Sequence, residues 1–260
     1  MAGESPRDLL EIASGFAEEA GRITLDYFQG HFVVDTKPDA SFVTAADREA
    51  EAFVRAAIES RFPEDGIVGE EFGEVRPEAR RRWIIDPIDG TFSFVHGVPV
   101  YGVLVGVEED GEPLAGVIHL PPLGETAAAA RGEGCYWRGR KAVVSRTDDL
   151  NEALILTTEM NLKAAPDREA ALRRLLQASG PSRTWGDCYG YVLVATGRAD
   201  VMIDPEMHVW DCAALLPIIE EAGGRFTDWR GHRTIRGGDS VATNGLLHDR
   251  VLAVLGFCGG

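Results

Sequence analysis

Cysteine is scarce in this chain, four residues in 260. Cys135, Cys188, Cys212 and Cys258 form no CxxC pair and stand at no zinc-ligand spacing, which sets aside a disulfide framework and a structural zinc site. Free thiols in a reducing cytosol are the expectation. No apolar run is long enough to cross a bilayer. Residues 1–7 lack the basic start and apolar stretch of a secretory signal, so the chain reads as cytoplasmic. Positive charge is also short, with 26 Lys and Arg against 42 Asp and Glu and a net charge of −16. Nucleic-acid binders draw their affinity from Lys and Arg on phosphates, and anionic membranes attract the same residues, so neither is an expected partner. There is no Ser-His-Asp arrangement, no Walker P-loop and no Rossmann fingerprint, nor any repeat or low-complexity tract.

What is present is a globular composition, 45% hydrophobic and 26% charged, long enough for one large core or two fused subdomains. Leu9, Ile12, Ala13, Phe16, Ala20, Ile23 and Tyr27 recur at helical spacing. A loop is expected at Lys37 to Ser41. A second helix starting at Thr44 or Asp47 would bury Ala50, Phe53, Val54, Ala57 and Ile58. Ile67-Val68 and Trp83 to Ile85 read as short strands, ending at Glu70 and Asp86. From Val100 to Arg138 the texture is antiparallel, with a hairpin turn at Glu109-Asp110-Gly111-Glu112. After Ser145 strands and helices alternate, and Pro217 should kink one of the helices. The reading is a first unit at 1–145, two helices on an antiparallel sheet with most candidate ligands, and a second at 146–260, a smaller α/β layer.

The most informative stretch is Trp83-Ile84-Ile85-Asp86-Pro87-Ile88-Asp89-Gly90-Thr91. A strand that runs into two acids three apart, then a Gly-Thr step, is poor core material. It suits a hard cation such as Mg²⁺, which takes oxygen ligands. Glu70 and Glu71 follow Gly69, a residue that permits close backbone approach, and Asp211 lies far downstream. Together these acids suggest a carboxylate cage for two or more metals and metal-assisted phosphate chemistry. Metals would also let so acidic a protein bind a phosphate monoester. If Asp86 ends a strand and Asp89 opens the next turn, both carboxylates and the Ile88 carbonyl converge. The Gly90 and Thr91 N–H groups and the Thr91 hydroxyl would then face a phosphate. Each residue also has a plainer reading. Asp-Pro and Asp-Gly are common turn pairs, Glu71 fits a solvated loop, and Asp47, Asp187 and Asp204 fit helix or turn caps. Asp211 suits a helix first turn by charge alone, and His208 is more simply structural.

Asp86-Pro87-Ile88-Asp89-Gly90-Thr91, with Gly69-Glu70-Glu71 before it and Trp210-Asp211-Cys212-Ala213-Ala214 after it, resembles the inositol-monophosphatase superfamily of lithium-sensitive, Mg²⁺-dependent phosphatases over nearly the whole chain. Trp185 to Tyr191, Pro217 to Gly224 and Thr91-Phe92-Ser93-Phe94-Val95 are most similar to its histidinol-phosphatase branch; inositol-specific members usually carry Asn where Ser93 stands. The resemblance implies an α-β-α-β-α layered sandwich of the inositol-monophosphatase and fructose-bisphosphatase type, two to three Mg²⁺ per site and a homodimer. It implies that Glu70, Asp86, the Ile88 carbonyl and Thr91 hold the first metal. Asp86, Asp89 and Asp211 would hold the second, and Glu70 the third. Glu70 and Thr91 would orient a metal-activated water, supported by Asp47 behind Thr91. Asp187 and Asp204 would face the leaving group. The implied reaction is hydrolysis of L-histidinol phosphate in histidine synthesis. Alternatives are an inositol 1-phosphate, fructose 1,6-bisphosphate or adenosine 3′,5′-bisphosphate phosphatase, and a non-catalytic regulator on the same scaffold.

Overall fold

The computed structural model describes residues 4–31, 33–36, 42–160, 162 and 165–257; the loop expected at Lys37 to Ser41 and Cys258 lie outside them. The order is α1 (Pro6–Tyr27), β1 (Val34–Thr36), β2 (Phe42–Thr44), α2 (Ala45–Arg61), β3 (Gly66–Gly69), β4 (Gly73–Val75), β5 (Arg81–Asp89), α3 (Thr91–Val95), β6 (Gly102–Glu109), β7 (Glu112–Leu120), β8 (Glu125–Ala130), β9 (Gly134–Trp137) and β10 (Arg140–Lys141). Then come β11 (Ile155–Leu156), α4 (Pro166–Ala178), β12 (Ser182–Arg183), α5 (Asp187–Ala195), β13 (Val201–Asp204), α6 (Val209–Glu221), β14 (Arg225–Thr227), β15 (Ser240–Thr243) and α7 (His248–Leu255). β1 and β2 form a small hairpin, β10-β9-β8-β7-β6-β5-β3-β4 an eight-stranded sheet, and β12-β11-β13-β15-β14 a five-stranded one.

Alternation along the large sheet builds two cores from one set of strands. Trp83, Ile85, Val103, Val105 and Val117 pack toward α1 and α2 with Leu9, Ala13, Val54 and Ile58. Ile84, Leu104 and Ile118 point the other way, against α5 and α6, which in turn cover Met202, Phe226 and Ala242 of the small sheet. The outer face of that sheet, Ile155, Val201, Ile203 and Val241, is closed by α4 and α7. The layers are therefore α-β-α-β-α.

The middle layer lies unusually close to the large sheet. Gly106 and Gly116 face each other in the β6–β7 ladder. A Cβ on Gly106 would stand 2.6 Å from the Ala213 Cβ, and one on Gly116 would strike the Ala214 carbonyl. Two facing glycines and two alanines thus let α6 rest on the strands, which fixes Asp211, two residues upstream. α6 runs as one element through Pro217.

Several expectations need correction. Phe53 is 36% exposed and Ala57 only half-buried, because the stripe on α2 is wider than the sheet it covers. The strand expected to end at Asp86 continues to Asp89. The hairpin turn at Glu109 to Glu112 is present, with Asp110 and Gly111 both at positive φ, 52° and 81°, as a two-residue hairpin turn of this kind requires.

Candidate active site

The site forms where the parallel pair β3 and β5 ends. Gly69 is in register with Ile85, and the Glu70 N–H donates to the Ile85 carbonyl at 3.3 Å. Glu70 is the first residue after β3 and Asp86 the next residue of β5, so topology brings two acids from different motifs side by side. Between Asp86 and Asp89 the β5–β6 register slips: Asp86 pairs with Leu104 but Asp89 with Gly102. Two residues of β5 oppose one of β6, a bulge. Side chains three apart would otherwise point to opposite faces; the bulge turns Asp89 to the side of Asp86. Pro87 sits inside it, where a missing N–H costs no ladder bond.

Asp211 arrives from the first turn of α6. Asp86, Asp89 and Asp211 offer carboxylate oxygens all within 4.8 Å of one another. The Ile88 N–H donates to Asp86 Oδ1 at 3.0 Å, the Cys188 N–H at the start of α5 to Asp89 Oδ2, and the His208 N–H to Asp211 Oδ2 at 2.6 Å. His208 itself stacks on Trp210 at 4.7 Å. Burial, then the charges of Glu70, Asp89 and Asp211, push the Asp86 carboxyl well up. Asp89 is raised by burial and by Asp211, and Asp211 by burial and by Glu70. Such a cluster cannot ionise fully unaided. A hard divalent cation answers both the charge and the all-oxygen donor set. Burial pushes the nearby thiols of Cys188 and Cys212 far up. The residues therefore fit a metal.

The turn after β5 is set by Gly90, in the left-handed region at φ 84°. A Cβ there would also lie 2.9 Å from Asp187 Oδ2. Thr91 opens α3 and donates its hydroxyl to the Ile88 carbonyl at 2.9 Å. Asp47 takes the Thr44 N–H and hydroxyl on Oδ2, each at 2.7 Å, so it caps α2, while its buried Oδ1 has no hydrogen-bond partner. Burial raises its carboxyl to about 7.

Asp187 is half-buried and left-handed at φ 50°. Its N–H donates to Thr158 Oγ1 at 2.8 Å, and the Ser93 hydroxyl approaches its Oδ2 at 3.4 Å. Asp204 ends β13, buried, with the Thr158 N–H on Oδ1 at 3.0 Å and the Tyr191 hydroxyl on Oδ2 at 2.8 Å. Both line a cavity of about 220 Å³ with Asp89, Asp211, Glu159 and Glu206. Sequence reasoning missed Glu51. This fully buried acid on α2 accepts the Glu71 N–H at 2.7 Å, the Phe72 N–H at 3.2 Å and Arg55 Nε at 2.7 Å. It occupies the space a Gly69 side chain would need, so it anchors the loop that presents Glu70. Its only signal in the sequence was a charge on the buried stripe of α2, one turn after Asp47.

A layered sandwich with a carboxylate cage at parallel strand ends defines a class, the metal-dependent phosphatases. The profile of the inositol monophosphatase family matches residues 5–259, and the chain belongs to that family. It is 44% identical over 249 residues to a histidinol-phosphatase of Chlorobaculum parvum, covering 95% of this chain and 96% of that protein. To a histidinol-phosphatase of Mycobacterium tuberculosis it is 40% identical, covering 95% and 98%. Among solved structures, the extragenic suppressor protein SuhB of Bartonella henselae superposes with a TM-score of 0.89 at 29% identity, covering 95% of this chain and 98% of that one.

Proposed function

We propose that this protein hydrolyses L-histidinol phosphate to L-histidinol and phosphate with Mg²⁺. The observation that carries the reading is the convergence of Asp86, Asp89 and Asp211 beside a cavity whose other charged walls are acidic. Glu70, Asp86, the Ile88 carbonyl, Thr91, Asp89 and Asp211 would hold two to three Mg²⁺, which would lower the pKa of water and neutralise phosphate charge. The Gly90 and Thr91 N–H groups orient the phosphate. Glu70 accepts a proton from the attacking water, whose oxygen forms the new bond to phosphorus as the bond to the substrate oxygen breaks; the leaving oxygen takes up a proton from solvent to give histidinol, and Glu70 returns its proton to solvent. Asp47 supports this loop from α2. The relatives named as histidinol-phosphatases support the substrate, and so does the charge of the walls. Among the described residues lining the cavity none is basic, whereas Glu159, Asp187 and Glu206 suit an ammonium and an imidazole.

A bisphosphate would need a second basic site. The run Arg80-Arg81-Arg82 does not supply it: Arg80 pairs with Asp110, Arg81 with Asp65 and Glu4, and Arg82 with Glu108. A cytoplasmic homodimer belongs to the same reading. The buried unpaired Cys135, Cys188 and Cys212 agree with a reducing compartment, and among the described residues no helix is long and apolar enough to cross a membrane.

The deciding measurement is phosphate release from histidinol phosphate, inositol 1-phosphate, fructose 1,6-bisphosphate and adenosine 3′,5′-bisphosphate. The expected result is a kcat/KM highest for histidinol phosphate, abolished by chelation and restored by Mg²⁺. A higher value for inositol 1-phosphate, or full activity after exhaustive chelation, overturns the reading. Asp187 and Asp204 should then separate. Asp187 can face an ammonium, and a charge-assisted bond there contributes about 1.5–3 kcal/mol, so Asp187→Asn should raise the KM for histidinol phosphate roughly tenfold or more and leave that for glycerol 2-phosphate unchanged. Asp204 has both oxygens engaged by the protein. Asp204→Asn should lower thermal stability and affect both substrates alike. Identical profiles for the two variants would show that this division of roles is wrong.

A further inference from the structure

Beside the acidic cavity lies a second hollow of about 500 Å³. The two share Thr158, Glu159 and Asp187 as a common wall. The second hollow gathers three of the most exposed large apolar side chains of the described chain: Phe92 at 66%, Trp185 at 49% and Val98 at 44%. Scattered apolar side chains on a surface need no explanation, but several around one hollow mark a binding site. Phe92 and Trp185 each stand close in the chain to a residue of the site. Phe92 follows Thr91 on α3 and stacks on His96 at 4.3 Å. Trp185 stands two residues before Asp187, on a segment held firmly: Gly186 is wedged against Thr158, where a Cβ would meet the Thr158 Cβ at 2.8 Å, and the Asp187 N–H is bonded to Thr158 Oγ1. The indole is thus exposed yet carried on a rigid perch beside the site.

We propose that this hollow takes the ring of the leaving group, with Trp185 as the platform on which the imidazole of histidinol phosphate lies. The inference rests on histidinol phosphate being the substrate. A planar ring that is partly cationic near neutral pH suits an indole face. The aliphatic carbons of the substrate then bridge from the hollow to the cage, and the ammonium passes Asp187. A polyol phosphate has neither a ring face to stack nor a cation to place here, so Trp185 discriminates among monoesters without touching the phosphate.

The test compares histidinol phosphate with glycerol 2-phosphate in the Mg²⁺-loaded enzyme. Trp185→Ala should raise the KM for histidinol phosphate by about tenfold, the scale of a well-placed ring contact, with kcat little changed. The KM for glycerol 2-phosphate should stay within about twofold, and Trp185→Phe should recover most of the loss. Histidinol, the product, should quench tryptophan fluorescence in the unsubstituted enzyme and not in Trp185→Phe. An unchanged KM for histidinol phosphate in Trp185→Ala overturns the proposal, as does a parallel loss on both substrates. If the unsubstituted enzyme fails on histidinol phosphate while cleaving glycerol 2-phosphate, the substrate reading falls and this inference with it; if only the variants disagree, the substrate reading stands and Trp185 has no part in it.

Discussion

Asp86→Asn should lower turnover roughly a thousandfold or more, the scale of losing charge stabilisation at a metal-assisted site, and at the same time raise the thermal midpoint of the metal-free protein. Both effects have one source. Asp86 is buried among Glu70, Asp89 and Asp211, and its carboxyl is pushed well up by burial and by their charges. Burial, with the charges of Glu71 and Glu70 adding to it, raises Asp47 from 3.8 to about 7. The folded metal-free protein therefore holds these protons more tightly than the unfolded chain does. Stability from such groups is fully present below the ordinary carboxylate range and is lost as pH rises through the raised values. The metal-free protein should then melt progressively lower from about pH 4 to above pH 7. Mg²⁺ should reverse the loss, because it binds the ionised carboxylates of the folded state. Asn carries no charge, so the variant should show a shallower pH dependence and a smaller gain from Mg²⁺. A metal-free midpoint that climbs with pH across this window, or a variant that gains as much from Mg²⁺ as the parent, would mean that Asp86 is not at the centre of the cage.

The acids of this cage are legible because each stands at the edge of an apolar run. Asp86, Asp89 and Glu70 stand where hydrophobic periodicity stops, and Asp211 opens an apolar helix. What the sequence could not show is how they meet. The register of Gly69 with Ile85 and the slip between Asp86 and Asp89 are pairing facts, set by strands far apart in the chain. The bulge in particular turned a strand expected to stop at Asp86 into one that carries both acids. The facing pair Gly106 and Gly116 is invisible for the same reason: each looks like an ordinary strand glycine until α6 lands on both. The small strands β1, β4, β10 and β12 span only two or three residues, too few for a period to register. Phe53 failed differently. Spacing places it on the apolar stripe of α2, but spacing does not say how far the sheet reaches, and Phe53 lines an open groove with Ile12 and Phe16 of α1.

Glu51 is the part of the site that only three-dimensional contact reveals, and its removal should be the second most damaging change. The carboxylate is fully buried and answers two loop N–H groups and Arg55, whose side chain is itself only 12% exposed. Glu51→Ala leaves Arg55 Nε and two amides without their acceptor, which costs about 3–5 kcal/mol when one partner of a buried pair is deleted. For a chain of this size that should lower the melting midpoint by roughly 6–20 °C, at about 2–4 °C per kcal/mol. The loop freed by the change carries Glu70. Turnover should therefore fall about a hundredfold, as small misplacements at a catalytic centre do, and the Mg²⁺ concentration giving half-maximal rate should rise. Gly69→Ala attacks the same contact from the other side, since its methyl would collide with the Glu51 carboxylate, and should reproduce the pattern. Glu51→Gln keeps the shape and one acceptor oxygen and should fall between the parent and Glu51→Ala in midpoint, rate and Mg²⁺ requirement. If Glu51→Ala and Gly69→Ala melt earlier yet keep the parental rate and Mg²⁺ requirement below their midpoints, Glu51 supports the fold alone and Glu70 finds its place without it.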